Sequence, residues 1–290
     1  MNGQICMVTG ATGGIGRQTA LELARLGATV VLVARNRQRG EATRAEIVAA
    51  TGNERVELLL ADFAAPASIR AMTQAFMAGH DRLNVLVNNA GVHLARREET
   101  AEGLDMTFAI NHLGYFMTTL LLWPCLVAGG PARVVNVSSD AHRQATLDFD
   151  DLQNHHYGMG GFGAYARSKL ANVLFTYELD RRRGPAPVTV NALHPGFVAS
   201  GFGRNNGGLV GLFMRHVVPH IAKTVEEGAA TSVYLASSPE VAGVSGRYFV
   251  DCRPVKSSPA SYDREAAARL WAISEELTGV ALPEVAHPAA

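Results

Sequence analysis

Thr9-Gly10-Ala11-Thr12-Gly13-Gly14-Ile15-Gly16 is the stretch that decides how this chain is read. Ahead of it, residues 5–8 form a short apolar run suited to a strand. Behind it, residues 14–26 carry apolar side chains at helical spacing and stop at Gly27. The order is therefore strand, glycine turn, helix. Glycines allow a tight turn and let a backbone approach a pyrophosphate, and a helix start offers free N–H groups and a positive dipole end to that anion. Such a loop is a weak signal in isolation. Between a first strand and an amphipathic helix it is a strong one, and Gly10, Thr12, Gly13, Gly14, Ile15 and Gly16 become the expected cradle of a dinucleotide.

Working outward, short β-branched runs alternate with helical stretches. Strands are expected at residues 29–34, 56–61, 83–87, 133–137, 188–192 and 248–250. Helices are expected at 41–50, 66–78, 102–122, 164–182, 224–236 and 263–279. The strands are nearly continuous apolar runs, as a sheet buried on both faces requires. Right-handed crossovers make this a doubly wound α/β fold, with its site beyond the carboxyl ends of the strands. Residues 142–163 and 196–223 lack clear periodicity. Both follow strands, so both are expected to overhang the site as substrate-lid insertions.

A nicotinamide dinucleotide bound through its adenosine ribose hydroxyls needs an acidic residue about 20 positions beyond the glycine loop. Here Arg35 follows the second strand, within Ala34-Arg35-Asn36-Arg37, and Arg17 stands in the first turn of the helix. A cation there opposes the dipole unless an anion lies nearby. Two guanidinium groups suit a 2′-phosphate, so NADP(H) is expected over NAD(H). The bland alternative leaves Arg17 in solvent and Arg35 at a strand end. Asp62, ending the third strand, is read as a contact to the adenine amino group or as a cap for the next helix. Asn89-Ala90-Gly91 follows the fourth strand, with small residues that let the backbone line the cofactor.

Tyr165 and Lys169 stand four apart at the start of an expected helix, on one face. An ammonium beside a phenol favours the phenolate and makes Tyr165 a candidate proton donor or acceptor. Ser139 ends the fifth strand at the carboxyl edge of the sheet, where its hydroxyl can hold a carbonyl or alkoxide oxygen. Ser138 is the rival for that role. A Tyr–Lys pair alone is usually a surface pair, and its placement beside the glycine loop gives it meaning.

These pieces, together with Asn111 and Pro195-Gly196, resemble the short-chain dehydrogenase/reductase family over nearly the whole chain. The resemblance implies a single Rossmann domain over residues 1–290 with a seven-stranded parallel sheet. It implies that Tyr165 is the general acid/base and that Lys169 binds the nicotinamide ribose and lowers the Tyr165 pKa. It implies that Ser139 polarises the substrate oxygen and Asn111 holds a water of the proton relay. Pro195, Gly196 and Val198 would border the nicotinamide, and the second serine, Ser139, is the one in the site. Ser200 stands where many members carry Thr. Within the family the likeness is to retinol dehydrogenase-like NADP-dependent reductases, through residues 149–153, 164–179, 247–253 and 269–271.

The implied partner is a small carbonyl or alcohol substrate, and family members often form homo-oligomers through helices. A catalytically silent cofactor-binding scaffold is the alternative, and the full Ser–Tyr–Lys–Asn set argues against it. The 26 basic and 26 acidic residues are interspersed, which argues against a nucleic-acid partner. No apolar run reaches the length of a membrane span. The hydrophobic anchor of membrane-bound retinol enzymes has no counterpart ahead of Ile5. Cys6, Cys125 and Cys252 form neither a zinc spacing nor a disulfide framework. A cytoplasmic protein is expected. His142 is read as a candidate for the substrate mouth, His194 as structural, and His155 and His156 as solvated. Phe197, Phe202, Leu209, Leu212, Phe213 and Met214 are read as an apolar lid, core cover or subunit contact.

Overall fold

The computed structural model describes residues 1–156, 158–198 and 223–283. Its strands are Ile5–Thr9 (β1), Thr29–Ala34 (β2), Val56–Leu60 (β3), Val85–Asn88 (β4), Ala132–Val137 (β5), Val188–His194 (β6), Arg247–Val250 (β7) and Arg253–Val255 (β8). Its α-helices are Gly14–Arg25 (α1), Arg37–Thr51 (α2), Pro66–Gly79 (α3), Met106–Phe108 (α4), Gly114–Leu121 (α5), Trp123–Ala128 (α6), Phe162–Arg182 (α7), Val225–Ser237 (α8) and Arg264–Thr278 (α9). The strands join one sheet in the order β3-β2-β1-β4-β5-β6-β7-β8. The first seven run parallel and β8 returns antiparallel to β7. The order reverses between β1 and β4, which places a crevice at the carboxyl ends of those two strands.

Alternate residues of β1 show why both sheet faces are apolar. Cys6 and Val8 pack with Leu23 of α1, Ile47 of α2 and Leu235 of α8. Met7 points the other way, into a cluster with Phe76 of α3, Phe116 of α5 and Phe175 of α7. Two layers of helices thus cover a sheet whose central strands are buried but for Ile5 of β1 and Arg133 of β5.

The sheet departs from the expected seven strands by β8. Asp251 and Cys252 adopt positive φ (49° and 60°) and reverse the chain after β7. The three residues that follow include Pro254, which an edge strand tolerates because its missing N–H faces outward. The helix expected at 102–122 is also not continuous. It opens at Met106, where the Asp105 carboxylate caps the Phe108 N–H at 2.8 Å. It widens into a π-turn over Ala109–Leu113 and is interrupted again before Pro124.

The insertion at 142–163 is anchored. Gln153 Oε1 accepts from the Asp105 N–H at 2.7 Å, and Asn154 Nδ2 donates to Asp105 Oδ1 at 2.9 Å. The Arg97 guanidinium donates to the Gln153 carbonyl at 2.9 Å. The expected lid residues Phe202, Leu209, Leu212, Phe213 and Met214, with Ser200, lie outside the described residues. Among the described residues no helix is long and apolar enough to cross a membrane, and no cluster of side chains is set to hold a metal.

Candidate active site

The glycines of the β1–α1 turn have different jobs. Gly10 adopts φ +65°, and a Cβ there would stand 2.8 Å from the Ala90 Cα. A Cβ on Gly16 would meet Asn89 Nδ2 at 2.3 Å and the Gly10 carbonyl at 2.5 Å. These two let the turn pack directly on the loop after β4. Thr9 welds the junction: its Oγ1 accepts from the Asn89 and Ala90 N–H groups at 2.9 and 3.0 Å. Asn89 Nδ2 donates back to the Thr9 carbonyl at 2.8 Å. Gly13 is exposed, and among the described residues only one arginine tip comes within 4 Å of where its Cβ would be. It serves as the N-cap of α1 with no side-chain cap, and the first turn holds no acidic residue. The helix start is therefore open to an anion. A dinucleotide pyrophosphate fits this cradle.

The arginine tip over Gly13 belongs to Arg39, whose Nη2 is 3.9 Å from that Cβ position. Arg39 sits in the first turn of α2, where Asn36 Oδ1 accepts its N–H at 2.9 Å. Arg35 is exposed at the end of β2, and no acidic side chain occupies the first turn of α2. Arg17, expected beside Arg35, instead pairs with Glu46 of α2 at 3.0 Å, with both side chains about half exposed. Arg35, exposed at the end of β2, and Arg39, whose guanidinium reaches Gly13, both stand at this end of the crevice. Arg39 had a sequence signal: cations in a helix's first turn oppose its dipole unless an anion is bound. Asp62 turns its carboxylate inward on its own loop. Its Oδ1 accepts the Ala64 N–H at 3.0 Å, while its N–H donates to Ser68 Oγ at 2.9 Å. It shapes the turn into α3, whose N-cap is Ala65.

Tyr165 lies in the first turn of α7, Lys169 one turn on, and Ser139 just past β5. The Ser139 hydroxyl stands beside the Tyr165 phenol, where it favours the ionised form, and it accepts the Ala141 N–H at 3.2 Å. Ser138 points elsewhere, donating to the Lys169 carbonyl at 2.8 Å and tying α7 to β5. Lys169 is buried, and its Nζ donates to the Val137 carbonyl at 3.0 Å. The ammonium stands 5.7 Å from the Tyr165 ring centre and 5.6 Å from that of Tyr115. A Cβ on Gly91 would lie 3.6 Å from Lys169 Nζ and 3.3 Å from Asn111 Oδ1, so the β4 loop faces both.

Burial dominates the titration of this group. It pushes the Tyr165 phenol up to about 12, with the neighbouring Ser139 hydroxyl pulling the other way. It lowers the Lys169 ammonium to about 7. The expected lowering of Tyr165 by Lys169 is not what the structure shows: burial sets the direction for both groups, up for the phenol and down for the ammonium.

Asn111 sits in the π-turn with its side chain hydrogen-bonded at both ends. Its Oδ1 accepts the Val92 N–H at 2.8 Å, and its Nδ2 donates to the Val92 carbonyl at 2.9 Å and to Ser168 Oγ at 2.9 Å. The amide fixes the β4 loop to α7 with both Nδ2 hydrogens engaged, and one lone pair of Oδ1 stays open to a further donor. A buried polar chain continues the lock: Asn88 Nδ2 donates to Asn136 Oδ1 and Asn136 Nδ2 to Thr176 Oγ1, at 2.9 and 3.0 Å.

Pro195, Gly196 and Val198 follow β6 at the same edge. Val198 packs against Ile15 and Gly228: a Cβ on Gly228 would meet Val198 Cγ2 at 2.5 Å and Ile15 Cγ1 at 3.4 Å. Lys223 lies over Gly196 and pairs with Asp251. His142 does not reach the substrate mouth. It is wholly buried, donating from Nδ1 to the Ser139 carbonyl at 2.7 Å and accepting the Ser258 N–H on Nε2 at 3.0 Å. His194 Nδ1 accepts the Asp140 N–H at 3.1 Å, a structural contact.

A glycine-cradled crevice and a Ser–Tyr–Lys cluster at its floor define a nucleotide-dependent oxidoreductase. The short chain dehydrogenase model matches residues 4–207, and the chain belongs to that family, whose members bind NAD(P) and act on CH–OH groups. It is 41% identical to retinol dehydrogenase 14 of Homo sapiens, over 97% of this chain and 88% of that one. It is 44% identical to retinol dehydrogenase 12 of Bos taurus, over 96% and 87%. Among solved structures, an uncharacterised protein from Mycobacterium paratuberculosis superposes with a TM-score of 0.78 at 32% identity, covering 98% of this chain and 96% of that one.

Proposed function

We propose that this chain interconverts a hydrophobic aldehyde or ketone with its alcohol, using NADP(H). The observation that carries the reading is the convergence of the Ser139 hydroxyl and the Tyr165 phenol with a buried Lys169, whose ammonium stands 5.7 Å from the phenol ring centre. Bound in the crevice, the nicotinamide would supply or accept the hydride. The protein's residues handle the oxygen. In the reducing direction, Ser139 Oγ–H holds the carbonyl oxygen and Tyr165 passes its proton to the oxygen as negative charge develops. A phenol raised to about 12 keeps that proton at neutral pH, so the resting site is loaded to donate. Lys169 lies against Gly91 and would hold the nicotinamide ribose, and Asn111 holds the loop that carries Gly91.

Arg35 and Arg39, with no acidic residue among them, support a 2′-phosphate and hence NADP(H). Exposed Phe162 and Phe197 flank the chemistry at the start of α7 and after β6, and support an apolar substrate. The relatives' names put retinoids among the candidates. The free thiols of Cys6, Cys125 and Cys252 suit a reducing compartment such as the cytoplasm. NADPH oxidation against a panel of aliphatic aldehydes, aromatic ketones and retinal tests the proposal. Tyr165→Phe is expected to lower kcat by about 100-fold or more with NADPH binding retained. An unchanged kcat would refute the assignment.

A further inference from the structure

We infer that His93, two residues beyond Gly91, is a positioning residue for Tyr165: it holds the glycine-rich turn that leads into α7 and braces the phenol ring. The inference rests on the reading of Tyr165 as the proton donor.

That turn has little stiffness of its own. Gly158, Gly160 and Gly161 all adopt positive φ, at 61°, 68° and 66°. Gly161 is the N-cap of α7 and contributes no side-chain cap. Tyr165 follows within one helical turn, so the aim of its hydroxyl depends on what holds the entry from outside. Ser168 and Lys169 are fastened to Asn111 and to β5, but both lie beyond Tyr165 in the chain.

His93 supplies a hold on the entry side. Its Nε2 lies 2.9 Å from the Gly160 carbonyl, and since a carbonyl can only accept, Nε2 carries the proton and donates. Its ring centre is 5.3 Å from that of Tyr165, the planes inclined at 43°. The residue before it is fixed on both backbone groups, because Asn111 accepts the Val92 N–H and donates to the Val92 carbonyl. A continuous path therefore runs from the π-turn through Asn111 and Val92 to His93, and from there to Gly160 and the phenol. The β4 loop faces Lys169 through Gly91 and steadies Tyr165 through His93. Its place in the sequence, just past Asn89-Ala90-Gly91, was the only hint of this role.

A proton donor misplaced by about 1 Å can cost about 100-fold in rate. The test compares His93→Ala, His93→Gln and His93→Phe in single-turnover NADPH oxidation with decanal and with retinal, alongside NADPH affinity by fluorescence and Tyr165→Phe as reference. His93→Ala should lower kcat about 10- to 100-fold with NADPH affinity within twofold of wild type. His93→Gln, which can still donate to Gly160, should recover most of the loss. His93→Phe, which keeps the ring and loses the bond, should recover less. The inference is overturned if His93→Ala retains kcat within twofold, if its loss follows loss of NADPH affinity, or if the Phe variant outperforms the Gln variant. The last comparison stands even should the Ala variant not fold. If Tyr165→Phe is itself fully active, the proton-donor reading fails; if it is inactive while His93→Ala is unimpaired, only the inference about His93 fails.

Discussion

Replacing Lys169 with Met should make the cofactor-free protein more stable near neutral pH while destroying activity. Burial lowers the ammonium to about 7, against the ordinary 10.5. Between those values the unfolded chain binds a proton that the native chain does not, so native stability rises with pH through that window. Each unit is worth about 1.4 kcal/mol. Near pH 7 the native site bears most of this penalty, about 4 kcal/mol by the same conversion, and near pH 9 about half of it. Methionine keeps the length and apolar contacts and removes the titration. It also removes the bond to the Val137 carbonyl, worth about 1 kcal/mol. The variant should therefore exceed wild type by a few kcal/mol near pH 7, and the gap should narrow by about 2 kcal/mol near pH 9. Urea unfolding of both apoproteins by circular dichroism, across that range, measures the difference. Tyr165 titrates in both proteins and cancels. Parallel stability curves, or a Met variant weaker than wild type near pH 7, would refute the argument that this lysine is held against its own solvation.

Two more outcomes follow from the geometry. Arg35→Asp and Arg39→Asp should each weaken NADPH binding by about 10- to 100-fold, the worth of a charge-assisted contact, while NADH binding changes by only a few-fold; titration calorimetry with both cofactors reads the ratio directly, and an unmoved ratio counts against the 2′-phosphate site. Ser139→Ala should cost about 100-fold in kcat at unchanged stability, whereas Ser138→Ala should cost about 1–2 kcal/mol of stability, through its lost bond to the Lys169 carbonyl, with kcat nearly intact; a reversed pattern would exchange the two serines.

The readable parts of the sequence were those in which a local pattern and its physical cause lie in the same short stretch. β1, the glycine turn and α1 were legible because apolar runs and glycines occupy adjacent positions. Tyr165 and Lys169 were legible because four-residue spacing on a helix is a geometric statement. What escaped depends on partners distant in sequence. The pairing of Arg17, read as a phosphate ligand, with Glu46 of α2 joins side chains from two helices. His142 looked like a mouth residue until the segment carrying Ser258 closed over it. The π-turn left no trace in periodicity, since five widened residues keep an apolar face nearly as well as an α-helix does. β8 is too short and too proline-bound to read as a strand.

The distribution of buried polar groups shows where the fold invests its specificity. A sheet this apolar could pack its helices in several registers, since hydrophobic contact is nondirectional. Around the site the contacts are directional instead. Asn88, Asn136 and Thr176 link β4, β5 and α7, Ser138 ties α7 to β5, and Asn111 ties the β4 loop to Ser168. Each of these side chains is buried, and leaving a partner unpaired there would cost about 1–3 kcal/mol. A slip of α7 along the sheet would break several at once. Tyr165 and Lys169 are thus placed against Ser139 by a lattice of hydrogen bonds that ties α7 to β4, β5 and the β4 loop. The site can then hold an uncomfortable lysine and a protonated phenol side by side, because their positions are fixed by groups that take no part in the chemistry.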